Sequence, residues 1–163
     1  CMSQNLSETI ERIMKKWHVS AGNINLEITE SAAATNPEQL RNNMRRLREM
    51  GFTFSMDDFG TGYSNIISFF KLDFEIIKID KSILWDADEN AKGDVILQNT
   101  IRMIKDVDRQ IITEGVETKE QRDKLIRLGC DYCQGFYYSK PIPRDQFIQF
   151  VMDFNENKKI VLN

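Results

Sequence analysis

The sequence predicts an α/β fold, one unit of about five parallel strands with helices between them. Three observations predict it. Segments of helical hydrophobic period alternate several times with short β-rich runs. Two helical runs end alike, Leu47-Arg-Glu-Met-Gly51 and Leu125-Ile-Arg-Leu-Gly129, each followed at once by a strand-like run, and such alternation calls for parallel strands joined by helical crossovers. The 163 residues suffice for one buried core but fall short of the ~200–250 of a complete (β/α)8 barrel.

Taken in order, Leu6, Ile10, Ile13, Met14 and Trp17 share one helical face, and 23–29 (NINLEIT) reads as a strand. Asn36-Pro37 is an N-cap and first-turn pair for a helix carrying Leu40, Met44 and Leu47, which Gly51 stops. The next strand is 52–56. A glycine-bearing turn precedes a helix suggested by Ile66, Ile67, Phe69 and Phe70, and 75–80 (EIIKID) is a third strand. The polar stretch 85–93 reads as loop, 95–107 as helix and 110–113 (QIIT) as a fourth strand. Thr118 with Gln121 forms a capping box for a helix ending at Gly129. A fifth strand is expected over 130–138. Pro143 opens a last helix with Phe147, Phe150, Val151 and Phe154 on one side. No linker, low-complexity tract or domain boundary interrupts the series.

Composition excludes several classes of function. With 41% hydrophobic and 29% charged residues the chain is globular rather than disordered. The 22 basic against 25 acidic residues give no bulk charge for DNA or RNA. No apolar run reaches the ~20 residues of a membrane span. Three cysteines, Cys1, Cys130 and Cys133, are too few for a disulfide framework and suit a reducing compartment, so a cytoplasmic location is expected. Cys1 in place of an initiator methionine hints at a chain cut from something longer.

Four times an apolar strand runs into carboxylates: Leu26-Glu27-Ile28-Thr29-Glu30, Phe54-Ser55-Met56-Asp57-Asp58, Ile76-Ile77-Lys78-Ile79-Asp80, and Ile111-Ile112-Thr113-Glu114 followed by Glu117. Parallel α/β folds place ligand sites beyond the carboxyl ends of their strands, so these acids should share one rim. Like charges gathered there repel unless a cation binds or some protonate. Oxygen-only ligands suit Mg²⁺ or Mn²⁺, and the adjacent Asp57 and Asp58 could help to hold two ions about 4 Å apart. Any single strand-end acid is more often a solvated loop residue or a cap; four in register favour a site. Lys78, inside an apolar strand, either snorkels from a sheet edge or sits in a charged site, where it could orient or deprotonate a water.

Weaker signals resolve readily. Asp58-Phe59-Gly60 copies a kinase tripeptide without the glycine-rich or catalytic loops that should accompany it. The kinase reading fails. Cys130-Asp-Tyr-Cys133 has redox or half-zinc spacing, but positions three apart in a strand point to opposite faces. His18, the single histidine, follows a helix end, which argues for a surface role and against histidine-dependent nucleophilic catalysis.

Leu26-Glu-Ile-Thr-Glu30, Asp57-Asp-Phe-Gly-Thr-Gly-Tyr-Ser64, Lys78-Ile-Asp80, Thr113-Glu-Gly-Val-Glu117, and Gln134-Gly-Phe136 before Pro141 follow one another in an order that resembles the EAL-domain family of bacterial cyclic di-GMP phosphodiesterases. The resemblance covers essentially the whole chain. It implies a modified (β/α)8 barrel that hydrolyses cyclic di-GMP to pGpG with Mg²⁺ or Mn²⁺. By position it makes Glu27, Asp57 and Glu114 metal ligands, with Asp57 bridging and Asp58 serving the second ion. Lys78 and Glu117 would be the catalytic pair, Lys78 helping to activate the attacking water; Glu117 and Gln134 would complete the water and metal surroundings, and Gln134 and Asp80 would bind water or substrate. Glu30 would pin the loop from Asp58 to Ser64, whose closure couples metal binding and dimerisation in the family.

The sequence departs from the family at one place: Glu-Ala-Leu occurs nowhere in it. The family carries that glutamate, a substrate-binding arginine and an asparagine ligand on strands upstream of the first helix seen here; Asn5 is read as a cap rather than that asparagine. Residues 1–163 therefore resemble the C-terminal part of one EAL domain, an incomplete (β/α)8 barrel with its first strands absent. The expected consequences are very low metal affinity and turnover by the chain alone and self-association, as a homodimer or by strand exchange, to cover an opened barrel. GGDEF or sensory domains are expected in the parent protein, which could be membrane-anchored through them. Two alternatives compete: a degenerate EAL domain acting as cyclic di-GMP receptor or protein-interaction module, and a phosphoacceptor receiver domain, which also combines five parallel strands, an acidic pair and a lysine, though in another order.

Overall fold

A computed structural model describes residues 5–61 and 72–161. In chain order it contains α1 (Asn5–Trp17), a 3-10 turn (Ala21–Asn23), β1 (Asn25–Thr29), α2 (Glu30–Thr35), α3 (Pro37–Glu49), β2 (Thr53–Phe59), β3 (Ile76–Ile79), α4 (Lys81–Glu89), α5 (Ala91–Asp106), β4 (Gln110–Thr113), α6 (Lys119–Leu128), β5 (Tyr132–Cys133) and α7 (Arg144–Val161). The helix expected around Ile66 and Phe70 lies outside the described residues. No helix among the described residues is long and apolar enough to cross a membrane.

The five strands form one parallel sheet in the order β1-β2-β3-β4-β5. Each strand neighbours its successor, the succession of a (β/α) barrel wall. A receiver domain instead reverses its strand order at a switch point, with the first strand inside the sheet. Here β1 is at the edge, and the receiver alternative fails. Among the described residues, β1 and β5 each pair on one side alone.

Register assigns the two faces. Ile28, Met56, Ile77 and Ile111 align across four strands, and Phe54, Ile79 and Thr113 stand on the same side. All are buried, in one cluster with Met44 and Leu47 of α3, Leu84 of α4, Leu97, Ile101 and Ile104 of α5, and Leu125 of α6. Burying each large side chain contributes about 1.5–3 kcal/mol, so this face carries the stability of the fold. The opposite face presents Asn25, Glu27, Thr53, Ser55, Asp57 and Lys78 at the alternate positions of β1, β2 and β3.

Local signals place the helices. Asn36 Oδ1 accepts from the backbone N–H of Gln39 and Pro37 opens α3. Thr118 and Gln121 form both halves of the capping box of α6. Gly129, at φ +84°, closes α6 in the left-handed conformation that a side chain would disfavour.

Two expectations are corrected. Residues 85–93 are not a loop: α4 and α5 run through them, broken only at Asn90, whose side chain caps α5 at Gly93 N–H. Their polar residues form the outer side of helices whose inner side buries Leu84, Ala87 and Leu97. The fifth strand spans two residues, not nine. The chain pairs on through Gln134, whose N–H reaches Thr113 O, and then turns, Tyr138 N–H bonding back to Gly135 O. On α7, Phe147, Phe150, Val151 and Met152 are exposed.

Candidate metal centre

Lys78 lies on β3, the central strand, so it cannot snorkel past a sheet edge. Its side chain is only 7% exposed, and its Nζ lies 2.8 Å from Asp57 Oδ1, 2.8 Å from Glu114 Oε1 and 3.0 Å from Glu27 Oε2. Burial works to lower the lysine pKa. The three carboxylates outweigh it and hold the ammonium well above the ordinary lysine value.

The strand geometry explains how consecutive aspartates come to one place. In an unbroken strand Asp57 and Asp58 would point to opposite faces. Here Met56 pairs with Ile77 and Phe59 with Ile79, which sets both aspartates opposite the single residue Lys78. This is a β-bulge, with Asp58 in the left-handed region at φ +58°. The bulge re-aims Asp58, and Asp57, Asp58 and Glu114 each offer an oxygen within 4.8 Å of the others. Glu27, half exposed, joins them through Lys78 rather than as a fourth member of that trio.

The donor set suits a divalent cation. It consists of oxygens alone, the choice of hard ions such as Mg²⁺ and Mn²⁺. Four carboxylates, Glu27, Asp57, Asp58 and Glu114, face one ammonium, a formal excess of negative charge that a cation would offset. Asp57 Oδ1 is buried and, although close to Lys78, has no hydrogen bond in good geometry. An oxygen so placed has desolvation to recover.

The remaining carboxylates do not all converge. Glu30, buried at the start of α2, accepts the N–H of Gly60 at 2.9 Å, fixing the first part of the turn after β2. Gly60 has φ +99°, and a Cβ there would overlap Ile83. The end of that turn, Gly62 to Ser64, lies outside the described residues. Asp80 Oδ1 accepts the N–H of Ser82 at 2.9 Å and so caps α4. Glu117 and Gln134 are exposed beyond the ends of β4 and β5. Sequence reading passed over Asn25 and Ser55, on the same face: Ser55 Oγ donates to Asn25 Oδ1 at 2.6 Å. Their signal was the period-two row Asn25, Glu27 and Thr53, Ser55, Asp57.

The family model described as EAL domain matches residues 1–141. The chain belongs to the EAL domain family. Among curated relatives, this EAL chain is 37% identical over 153 residues to the signaling protein YkoW of Bacillus subtilis (strain 168), covering 93% of the chain and 19% of the relative. It is 30% identical over 148 residues to the cyclic di-GMP phosphodiesterase RocR of Pseudomonas aeruginosa, covering 91% and 38%. It thus spans about a fifth to two fifths of the length of these relatives. Among solved structures, the EAL domain of Mycobacterium smegmatis DcpA superposes with a TM-score of 0.85 at 32% identity, covering 93% of this chain and 68% of that one. The PaMucR phosphodiesterase in complex with c-di-GMP gives 0.84 at 29%, covering 90% and 59%. The Klebsiella pneumoniae BlrP1 manganese/cy-diGMP complex gives 0.78 at 26%, covering 86% and 36%.

Proposed function

We propose that this EAL chain is the C-terminal part of a cyclic di-GMP phosphodiesterase domain whose metal centre is built on Asp57, Asp58, Glu114 and Glu27. The observation that carries this reading is the trio of carboxylate oxygens within 4.8 Å, brought together by the β2 bulge beside Lys78. The naming of relatives as cyclic di-GMP phosphodiesterases and the manganese and calcium complexes of BlrP1 support it. Mg²⁺ or Mn²⁺ bound there would offset the charge of the phosphodiester and favour ionisation of a water for attack at phosphorus.

The chain's own residues do the rest. Lys78, an ammonium tied to three carboxylates, acts as a hydrogen-bond donor that orients the water; its ion pairs leave it unsuited to take the proton. Glu117 and Gln134 line the rim beyond β4 and β5, where they can hold water and substrate, and Asp80 stiffens the end of β3 through the α4 cap. Glu30 holds Gly60, and with it the turn carrying Asp58. Because the Glu-Ala-Leu tripeptide is absent from the sequence, the chain alone should turn over cyclic di-GMP far below enzyme rates. A Glu-Ala-Leu strand in a longer chain would favour the enzyme, and its loss there the receptor reading, in which nucleotide binds without hydrolysis. Exposed Phe147, Phe150 and Val151 on α7, with β1 and β5 each paired on one side among the described residues, support self-association.

The direct experiment is thermal unfolding with and without millimolar Mn²⁺. With the weak affinity of a partial shell the wild-type chain should gain roughly one or two degrees and Asp57→Asn should gain none, since an ion that binds only the folded state stabilises it. An equal response in both, or none in either, overturns the metal centre. Chromatography of the products then separates the phosphodiesterase from the receptor: pGpG formed by a longer chain that supplies the Glu-Ala-Leu strand supports the first, and tight nucleotide binding without product supports the second.

A further inference from the structure

Cys130 and Cys133 lie on the helix-facing side of the sheet, away from the carboxylates, and the metal reading makes no use of them. The expectation that they point apart does not hold, because Cys130 precedes the strand. After the left-handed turn at Gly129 the chain bends at Asp131, and β5 begins only at Tyr132. Two contacts pin the bend: Asp131 accepts from Lys105 Nζ and from the backbone N–H of Ile111, both at 2.8 Å. Both cysteines therefore meet at Thr113. Cys130 Sγ is 3.2 Å from Thr113 Oγ1, and Cys133 is the register partner of Thr113 on β5. The thiols are free and partly exposed, and Cys130 Sγ lies 3.1 Å from the Tyr132 carbonyl oxygen.

We propose that Cys130 and Cys133 are a redox-active dithiol that closes to an intrachain disulfide when the protein meets a hydroperoxide. Cys133 is the attacking sulfur. The neighbouring Cys130 thiol, against burial and with help from Tyr138 and Arg122, holds its pKa below the ordinary thiol value. Its nearness to Cys133, reinforced by burial, holds the Cys130 thiol up, which suits a resolving partner. In the first step the Cys133 thiolate attacks a peroxide oxygen and the O–O bond breaks. Sulfenic acid forms on Cys133, and the other oxygen leaves as water or alcohol. In the second, Cys130 sulfur attacks the sulfenic sulfur, the S–S bond forms, and hydroxide leaves with the Cys130 proton as water. The two thiols lose two hydrogens and two electrons to the peroxide. In a reducing compartment such a bond is transient, as befits a sensor rather than a staple.

Trypsin releases both cysteines in one peptide, residues 128–144, because Pro141 blocks cleavage after Lys140; Cys1 falls in another. The chain is treated with hydrogen peroxide, alkylated with a maleimide, digested and weighed. The 128–144 peptide should appear unlabelled and two hydrogens lighter, and dithiothreitol should restore two labels. The folded chain should oxidise roughly tenfold faster than the urea-unfolded one, the advantage of a preformed contact and a lowered thiol pKa. Cys130→Ser should leave a sulfenic acid on Cys133 that dimedone traps, and Cys133→Ser should leave Cys130 unreactive. Two maleimides on the peptide after peroxide, or equal rates folded and unfolded, overturns the proposal whatever the variants do.

Discussion

The two faces of this one sheet are built to opposite rules, though every strand contributes to both. On the helix-facing side Phe54, Ile77, Ile79 and Ile111 are fully buried among helix side chains. On the other, Lys78 lies at ion-pair distance from Glu27 of β1, Asp57 of β2 and Glu114 just past the end of β4. The first face gains free energy by excluding water. The second spends some of it to hold like charges together, with one ammonium among the described residues, Lys78, set against four carboxylates. The comparison teaches that stability and chemistry are separated here by the pleat of the strand, not by distance along the chain.

The sharpest way to break that comparison is to truncate each face in turn. Phe54→Ala should destabilise the chain by about 3–5 kcal/mol, read as a lowered urea midpoint at unchanged slope. Glu27→Gln, on the other face and half exposed, should move the midpoint little. Equal losses would show that the charged face also carries the fold.

Lys78→Met comes next. It leaves Asp57 and Glu114 facing each other without their shared cation. The loss should be about 2 kcal/mol at neutral pH, below that of a fully buried pair because both carboxylates keep some solvent contact. Acid should restore part of it by protonating the carboxylates. In the wild type the same ion pairs give a pH dependence of definite sign. The folded lysine holds its proton to higher pH than the 10.5 of an ordinary lysine. Its contribution is therefore whole below about pH 10.5 and falls as pH rises through the folded value, since the unfolded chain releases its proton first. Urea midpoints measured from neutral to strongly alkaline pH should show this fall in wild type, and Lys78→Met should lack it.

Smaller effects sharpen the picture at the rim. Glu30→Gln keeps an acceptor for Gly60 N–H but weakens a charge-assisted bond, for a loss of about 1 kcal/mol. Amide hydrogen exchange at Gly60 should quicken while exchange in β3 stays unchanged. Thr118→Ala removes one half of the α6 capping box and should cost about 1 kcal/mol in the same urea assay. A local helix cap sets the scale against which both faces are judged.

Much of this was already written in the order of residues. Asn36-Pro37, Thr118 with Gln121, and Gly129 act within a few positions of themselves, so their caps and stops could be read directly. The carboxylates after each strand, Lys78 between two isoleucines, and the motif series that resembles the EAL family were legible for the same reason: each is a local pattern. Polar helices such as α4 escaped notice because their buried residues, Leu84 and Ala87, are few and their outer faces look like loop. What only the tertiary structure decided is pairing between distant segments. Register between β2 and β3 creates the bulge that brings Asp58 beside Asp57, the crossover to β4 delivers Glu114 to Lys78, and the pinned bend at Asp131 turns two cysteines toward one threonine. A one-residue slip in any of these would reverse which face a side chain occupies, and nothing within a single segment fixes the register of its partner.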